Sequence, residues 1–336
     1  MKIKSTIVLL AVASSVMFSC KGNPEEQETT TEPSQSSTFT ENTYAEISVK
    51  KGGEWQGKEY VGGEFENVKE LTLPEGHTDH SYFIRYEGPG WENAQVGYRL
   101  YLDWRNAIDI FGKKTDTMVL PGVGQDGFDS YHEMAPWGMD ILKAGQSLGI
   151  GSYGRFMNDS VAKFRKVKAT HAQISNSDAK SEVQITYTGW TTGNETIDLV
   201  STLSIFPADR FTKVKLEPST LLEGLTTGIV KFDNIDLVQK QSENGNWGYM
   251  ATYGAQTLVD EEDQLGMAIF YRVSEVEEVT EGPHDHLVIF KASEEPVTYY
   301  LLAAWEQETN GLKTSEAFFA DLDSKLQTLE ESGKLE

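Results

Sequence analysis

The chain has 336 residues, with 29 Lys and Arg against 52 Asp and Glu and a net charge of −23. That balance argues against nucleic acid and against a polybasic membrane surface as partners, while leaving room for a small anionic ligand where arginines gather locally. A single cysteine, Cys20, provides no disulfide framework, so the fold must rely on its own core.

The opening "MKIKSTIVLLAVASSVMFSC" has a basic start, an apolar run from Ile7 to Phe18 and small residues near its end. Residues 1–19 therefore read as a secretory signal, too short to span a bilayer as a mature helix. "MFSC" is a loose lipobox, and Cys20 is the expected lipidation site of an outer-membrane lipoprotein. Residues 20–42, rich in Ser, Thr, Glu, Pro and Gln, read as a lipidated disordered tether. The periplasmic face is preferred over the cell surface, and the lipid anchor is the one expected membrane contact. Residues 43–336 read as one domain and a monomer, long beside the ~200–250 residues that sandwiches reach as a unit.

Alternation dominates the rest. "QVGYRLYLDW" sets Val96, Tyr98, Leu100, Leu102 and Trp104 against Gly97, Arg99, Tyr101 and Asp103, which predicts a strand with one polar, aromatic-bearing face. Residues 126–154, "DGFDSYHEMAPWGMDILKAGQSLGIGSYG", fit neither strand nor helix, and are expected to form a loop over a concave sheet. "THAQIS" and "SEVQITYTGW" read as a hairpin joined through "NSDAKS". Further strands are expected at "ETIDLVSTLSIF", "RFTKVKLE", "GNWGYMATYG", "QLGMAIFYRV", "DHLVIFKA" and "PVTYYLLAAW". At the end, Phe318, Phe319, Leu322, Leu326 and Leu329 stand at helical spacing, with Thr314 or Ser315 as N-cap. No repeat of twenty to fifty residues occurs, so the expected fold is all-β: two large antiparallel sheets packed face to face, plus one C-terminal amphipathic helix.

Candidate site residues fall in three clusters. The first holds His77, His80, Arg85, Glu87, Trp91, Glu92, Arg99, Tyr101, Asp103 and Arg105; the second holds Tyr131 and His132, with Arg155 just beyond; the third holds Trp247, Tyr249, His284 and His286. "HTDH" and "HDH" are short-spaced pairs without zincin placement, so solvated turns are the plainer reading. No cofactor is expected, and these four histidines are the candidates for a divalent metal. Trp104 and Trp190 read as core. Trp91, Trp137 and Trp247, beside Gly and Asn, could stack on a pyranose or line a sandwich rim. "GVGQDG" and "GIGSYG" precede no suitable helix and are set aside as phosphate loops.

At "YEGPGWENAQVGYRLYLDWRNAIDIFGKK" and "VLPGVGQDGFDSYHEMAPWGMDILKAGQSLGIGSYG" the chain resembles a family of bacterial exported proteins long filed as a domain of unknown function. Some members lie in gene clusters that degrade ulvan, a sulfated rhamnose–uronate polysaccharide, and the family is similar to oligosaccharide dehydratases. The resemblance covers the folded region and implies a galactose-mutarotase-like β-supersandwich. It also implies removal of water across C4–C5 of the uronic acid at the non-reducing end of an anionic oligosaccharide, leaving a 4,5-unsaturated end.

Such a reaction needs a neutralised carboxylate, a base for the C5 proton and an acid for the departing hydroxyl. Chemistry then assigns His132 as base or acid with Tyr131 or a neighbouring tyrosine as counterpart. Arg99 or Arg105, with Arg155, would hold the carboxylate or a sulfate, and Asp103 and Glu92 would orient the histidine or bind hydroxyls. A polysaccharide lyase, a non-catalytic sugar-binding lipoprotein and an epimerase stand behind the dehydratase in that order, since fold does not set function.

Overall fold

The structure is a computed structural model that describes residues 42–336. Cys20 and nearly all the residues read as signal and tether lie outside the described residues.

A nine-stranded antiparallel sheet forms the backbone of the molecule. It runs from Val238–Gln241 through Trp247–Ala255, Gln264–Arg272, Val297–Trp305, Phe211–Pro218, Glu195–Ile205, Ser181–Thr192 and Ala169–Asn176 to Glu70–Thr72. The alternation in these segments explains both its faces. Ile185, Leu203, Val214, Met267, Ile269 and Leu301 share one buried cluster with Trp91, Tyr98, Ile110, Ile150, Ile229 and Val288. Those partners come from a six-stranded and a five-stranded sheet laid over the same face. This is the expected all-β sandwich, with side chains of facing sheets interleaved.

The opposite face presents Phe211, Trp247, Tyr249, Phe270, Tyr300 and Leu302 to Phe318, Leu322, Leu326 and Leu329 of the helix Ser315–Ser332. The helix begins where Thr314 Oγ1 accepts from the Ala317 N–H at 3.2 Å. It ends at Gly333, whose φ of 76° suits a residue without Cβ. No helix among the described residues is long and apolar enough to cross a membrane.

The six-stranded sheet orders Glu64–Val68, Thr43–Lys51, Gly90–Asn93, Val96–Leu100, Ile108–Lys113 and Gly138–Asp140. Two expectations are corrected here. The strand expected to run to Trp104 stops at Leu100, because residues 102–105 turn and Asn106 takes φ 47°. The expected loop 126–154 covers the sheet only over its first part. Its second part supplies the strands Gly138–Asp140 and Ile150–Met157, glycines notwithstanding.

Candidate active site

Period two sorts the six-stranded sheet as cleanly as it sorts the large one. Ala45, Trp91, Tyr98, Ile110 and Met139 enter the central core. Glu46, Glu92, Arg99, Asp109, Lys113 and Asp140 take the alternate positions and lie buried on the outer face. Over that face lies the segment around residues 118–137, whose Val119, Leu120, Val123 and Tyr131 pack with Tyr44, Tyr86 and Phe111. Buried charges on a covered sheet face must find partners, and each does.

Arg99 is the hub, 1% exposed. Register puts it directly opposite Asp109, and Nη2 donates to Asp109 Oδ2 at 3.2 Å and to Asp140 Oδ2. Its Nη1 donates at 3.2 Å to the Tyr86 carbonyl and to the Tyr131 hydroxyl. Burial pushes both Asp109 and Asp140 up despite Arg99, and the Asp140 charge adds to the rise at Asp109, so the pair retains a proton above the ordinary carboxylate range. Glu87 lies between two arginines, 3.7 Å from Arg99 Nη1 and 2.5 Å from Arg105 Nη2. Burial alone would raise it, but Arg99 and Arg105 outweigh that and hold it below its usual value.

At the mouth of this network His132 is one-third exposed, with Nε2 3.6 Å from Asp140 Oδ2. That distance is longer than a direct hydrogen bond. Its ring lies 4.4 Å from Tyr131 and 5.3 Å from Phe128. Burial and the Arg99 charge lower its pKa below 6.5, against the pull of Asp109, Asp129 and Glu87, so at neutral pH it is a free base. On the same phenylalanine, at 5.6 Å, sits His80, 42% exposed, whose Nδ1 is 3.2 Å from Asp79 Oδ2. A hydrogen bond from Trp104 Nε1 holds Asp79 well below the carboxylate range against partial burial, helped by Thr78 and His80. Two histidines, each with a carboxylate behind it, thus share the Phe128 ring.

The backbone here is strained. Nine described residues other than glycine have positive φ, and five of those are Asn or Asp, which tolerate it. The other four are His80 at 54°, Tyr82 at 55°, Tyr86 at 38° and Glu87 at 67°. Such residues persist where surroundings hold them, and they cluster at functional sites. The turn from His77 to Tyr82 also walls two clefts. One of 740 Å³ is lined by His77, Thr78, Asp103, Trp104 and Arg165, and one of 620 Å³ by Tyr82, Phe65, Phe128 and Tyr131.

Several expected site residues belong elsewhere. Trp91 is fully buried, stacked on Tyr98 and donating from Nε1 to Thr212 Oγ1, because the glycines and asparagine around it sit in a strand. Glu92 is buried against Lys113 and caps the Val119 and Leu120 N–H groups. Arg85 is buried on Glu46 and the Pro121 carbonyl. Trp247 and Tyr249 lie under the helix, with Arg272 4.5 Å over the indole and the Tyr249 hydroxyl on Asp323. Arg155 is taken by Glu195, the Glu223 carbonyl and the Thr192 carbonyl. Tyr131 is buried with its hydroxyl turned inward to Arg99, so it is no counterpart for His132 at the mouth. Arg99 and Arg105 have their forks filled by carboxylates, Tyr101 donates to Asp109 at 2.6 Å, and Asp103 holds Arg105.

The other histidines separate too. His77 contacts the Leu102 carbonyl and Ser81 Oγ, His286 is buried in the strand Asp285–Phe290, and His284 lines a different cleft. Among the described residues no group of three or more His, Cys, Asp or Glu could hold a metal ion. Sequence reading named Glu87 and His80 in its first cluster but missed Asp109, Asp140 and Phe128, and it gave His80 no acid–base role. The adjacent Asp79 in "HTDH" was the available signal.

No curated protein matches the chain. Among solved structures, one matching chain, from human microbiome, is described as a kojibiose phosphorylase; it is 12% identical, with a TM-score of 0.35, and the match covers 71% of this chain and 32% of that one. This chain therefore spans less than a third of that protein's length, and a likeness at this level carries no argument about activity. Over residues 16–334 the sequence matches a family described as a domain of unknown function (DUF4861), and the chain belongs to that family.

Proposed function

We propose that the chain is an oligosaccharide dehydratase acting on the non-reducing-end uronic acid of ulvan-type oligosaccharides. The observation that carries this reading is the pair of carboxylate-backed histidines, His132 with Asp140 and His80 with Asp79, around Phe128. Resemblance of residues 86–154 to exported proteins of ulvan-degrading clusters supplies the substrate class. Neutral His132 takes the C5 proton, which lies α to the carboxylate. The C5–H pair becomes the C4=C5 double bond, the C4–O bond breaks, and His80 gives a proton to the hydroxyl leaving as water. In this reading the buried Arg99 network fixes His132 and keeps it unprotonated. The protein works as a lipoprotein anchored through Cys20 at the outer membrane, an expectation carried by the N-terminal segment alone.

Purified protein incubated with uronate-ended ulvan oligosaccharides tests the reading by ultraviolet absorbance and mass together. New enoate absorbance, loss of one water and unchanged chain length are expected, and all should vanish in His132→Ala. Absorbance with shorter products would make the protein a lyase with the same base. Neither signal would leave a sugar-binding protein.

A further inference from the structure

The arginines expected to hold an anionic substrate are all occupied, which turns attention to the seventh. Of the seven arginines in the chain, Arg85, Arg99, Arg105, Arg155, Arg210 and Arg272 each face a carboxylate. Arg165 has no ion pair among the described residues. It is exposed, and its guanidinium carbon lies 3.6 Å over the Trp104 ring. Stacking on an indole orients a guanidinium and leaves its N–H edge free for a planar oxyanion.

Its basic neighbours also lack carboxylate partners, although the half-buried Lys163 donates from Nζ to the Ser147 carbonyl at 2.6 Å. Lys163, Lys166 and Lys168 lie within six residues of "KFRKVK", and among the described residues none of them is paired with a carboxylate. Arg165 and Trp104 line both the 740 Å³ cleft and a second one of 490 Å³, to which Lys163 and Lys166 contribute. In a chain of net charge −23, four cations without carboxylate partners around two adjoining clefts favour an anion there. The site also connects to the histidines: Trp104 Nε1 donates to Asp79 Oδ1 at 3.0 Å, and Asp79 backs His80.

We infer that Arg165, stacked on Trp104, grips a sulfate ester or carboxylate on a sugar of the bound chain, with Lys163 and Lys166 lining its path. The inference rests on the proposed sugar substrate but not on the reaction.

Calorimetric binding of a sulfated, uronate-ended oligosaccharide, its desulfated counterpart and a neutral oligosaccharide of equal length tests it, in wild type, Arg165→Ala and Arg165→Lys, each also carrying His132→Ala to prevent turnover. Loss of a charge-assisted contact predicts about ten- to a hundredfold weaker binding of the anionic chains in Arg165→Ala, partial rescue by lysine, and no change for the neutral chain. If only the sulfated chain responds, the bound group is a sulfate; if both charged chains respond alike, it is a carboxylate. Equal affinity of Arg165→Ala and its parent for the charged chains overturns the inference, as does failure of the parent to bind them. A kinetic measurement separates this from the reaction: turnover with KM unmoved by Arg165→Ala keeps the dehydratase and discards the anion site. Charge-dependent binding without turnover does the reverse.

Discussion

His132 is held where a general base is useful: one-third open to solvent, and lowered in pKa by burial and by Arg99. A base must be unprotonated to act, so the acid limb of kcat/KM against pH should have its midpoint below 6.5. A limb above that value would remove His132 from the role. His80 has φ 54°, a conformation that asparagine tolerates and alanine resists, so His80→Asn is the clean test of the acid. It should reduce kcat by about 10²–10⁴-fold, with melting temperature little changed; wild-type kcat in that variant would discard the acid role. At this scale the sequence was only partly legible. His132 stood out because no strand register explained it. The arginines stood out as well, but whether a guanidinium is free depends on partners far along the chain: Asp140 lies 41 residues from Arg99. Arg165 went unnoticed because it falls between two strands, in a run that reads as a solvated linker.

Among elements, the helix Ser315–Ser332 was the most legible, since its periodicity and cap are local. Thr314→Ala should cost about 1 kcal/mol and Leu322→Ala about 2–5 kcal/mol in denaturant unfolding. The helix lies on the face of the nine-stranded sheet away from His132, so both variants should keep wild-type kcat; a fall in kcat would couple the two faces. The strands of the large sheet were legible for the same reason, period two with polar turns between. Of the six-stranded sheet only Val96–Leu100 was legible in this way. "GPGWEN" reads as a turn, yet Gly90–Asn93 pairs with Thr43–Lys51 and Val96–Leu100. Buried carboxylates on its outer face disguise the alternation that polarity usually reveals. In the same way Trp91 was read as a sugar platform or part of a sandwich rim, whereas its position in that strand points it at Thr212.

Across the whole molecule, buried acids set how stability answers pH. Burial raises Asp285 and Glu308 each to about 7, and the native state therefore binds more protons than the unfolded one between the ordinary carboxylate range and that value. Their contribution is fully present in acid, below the unfolded values, and is lost as pH rises to about 7. Wild type should accordingly lose unfolding free energy from pH 4.5 to 7.5 more steeply than Asp285→Asn, measured by urea unfolding at both; parallel losses would show that Asp285 titrates normally. The width of the large sheet has a different consequence. It ends in Val238–Gln241 and Glu70–Thr72, strands of four and three residues that are mostly exposed and carry Lys240 and Glu70. A neighbouring chain finds only that short, charged margin to add to. Without the first of these stubs, the nine-residue strand Trp247–Ala255 would become the border and offer a long template for fibre growth. The two shortest strands of the large sheet thereby guard it against polymerising when crowded.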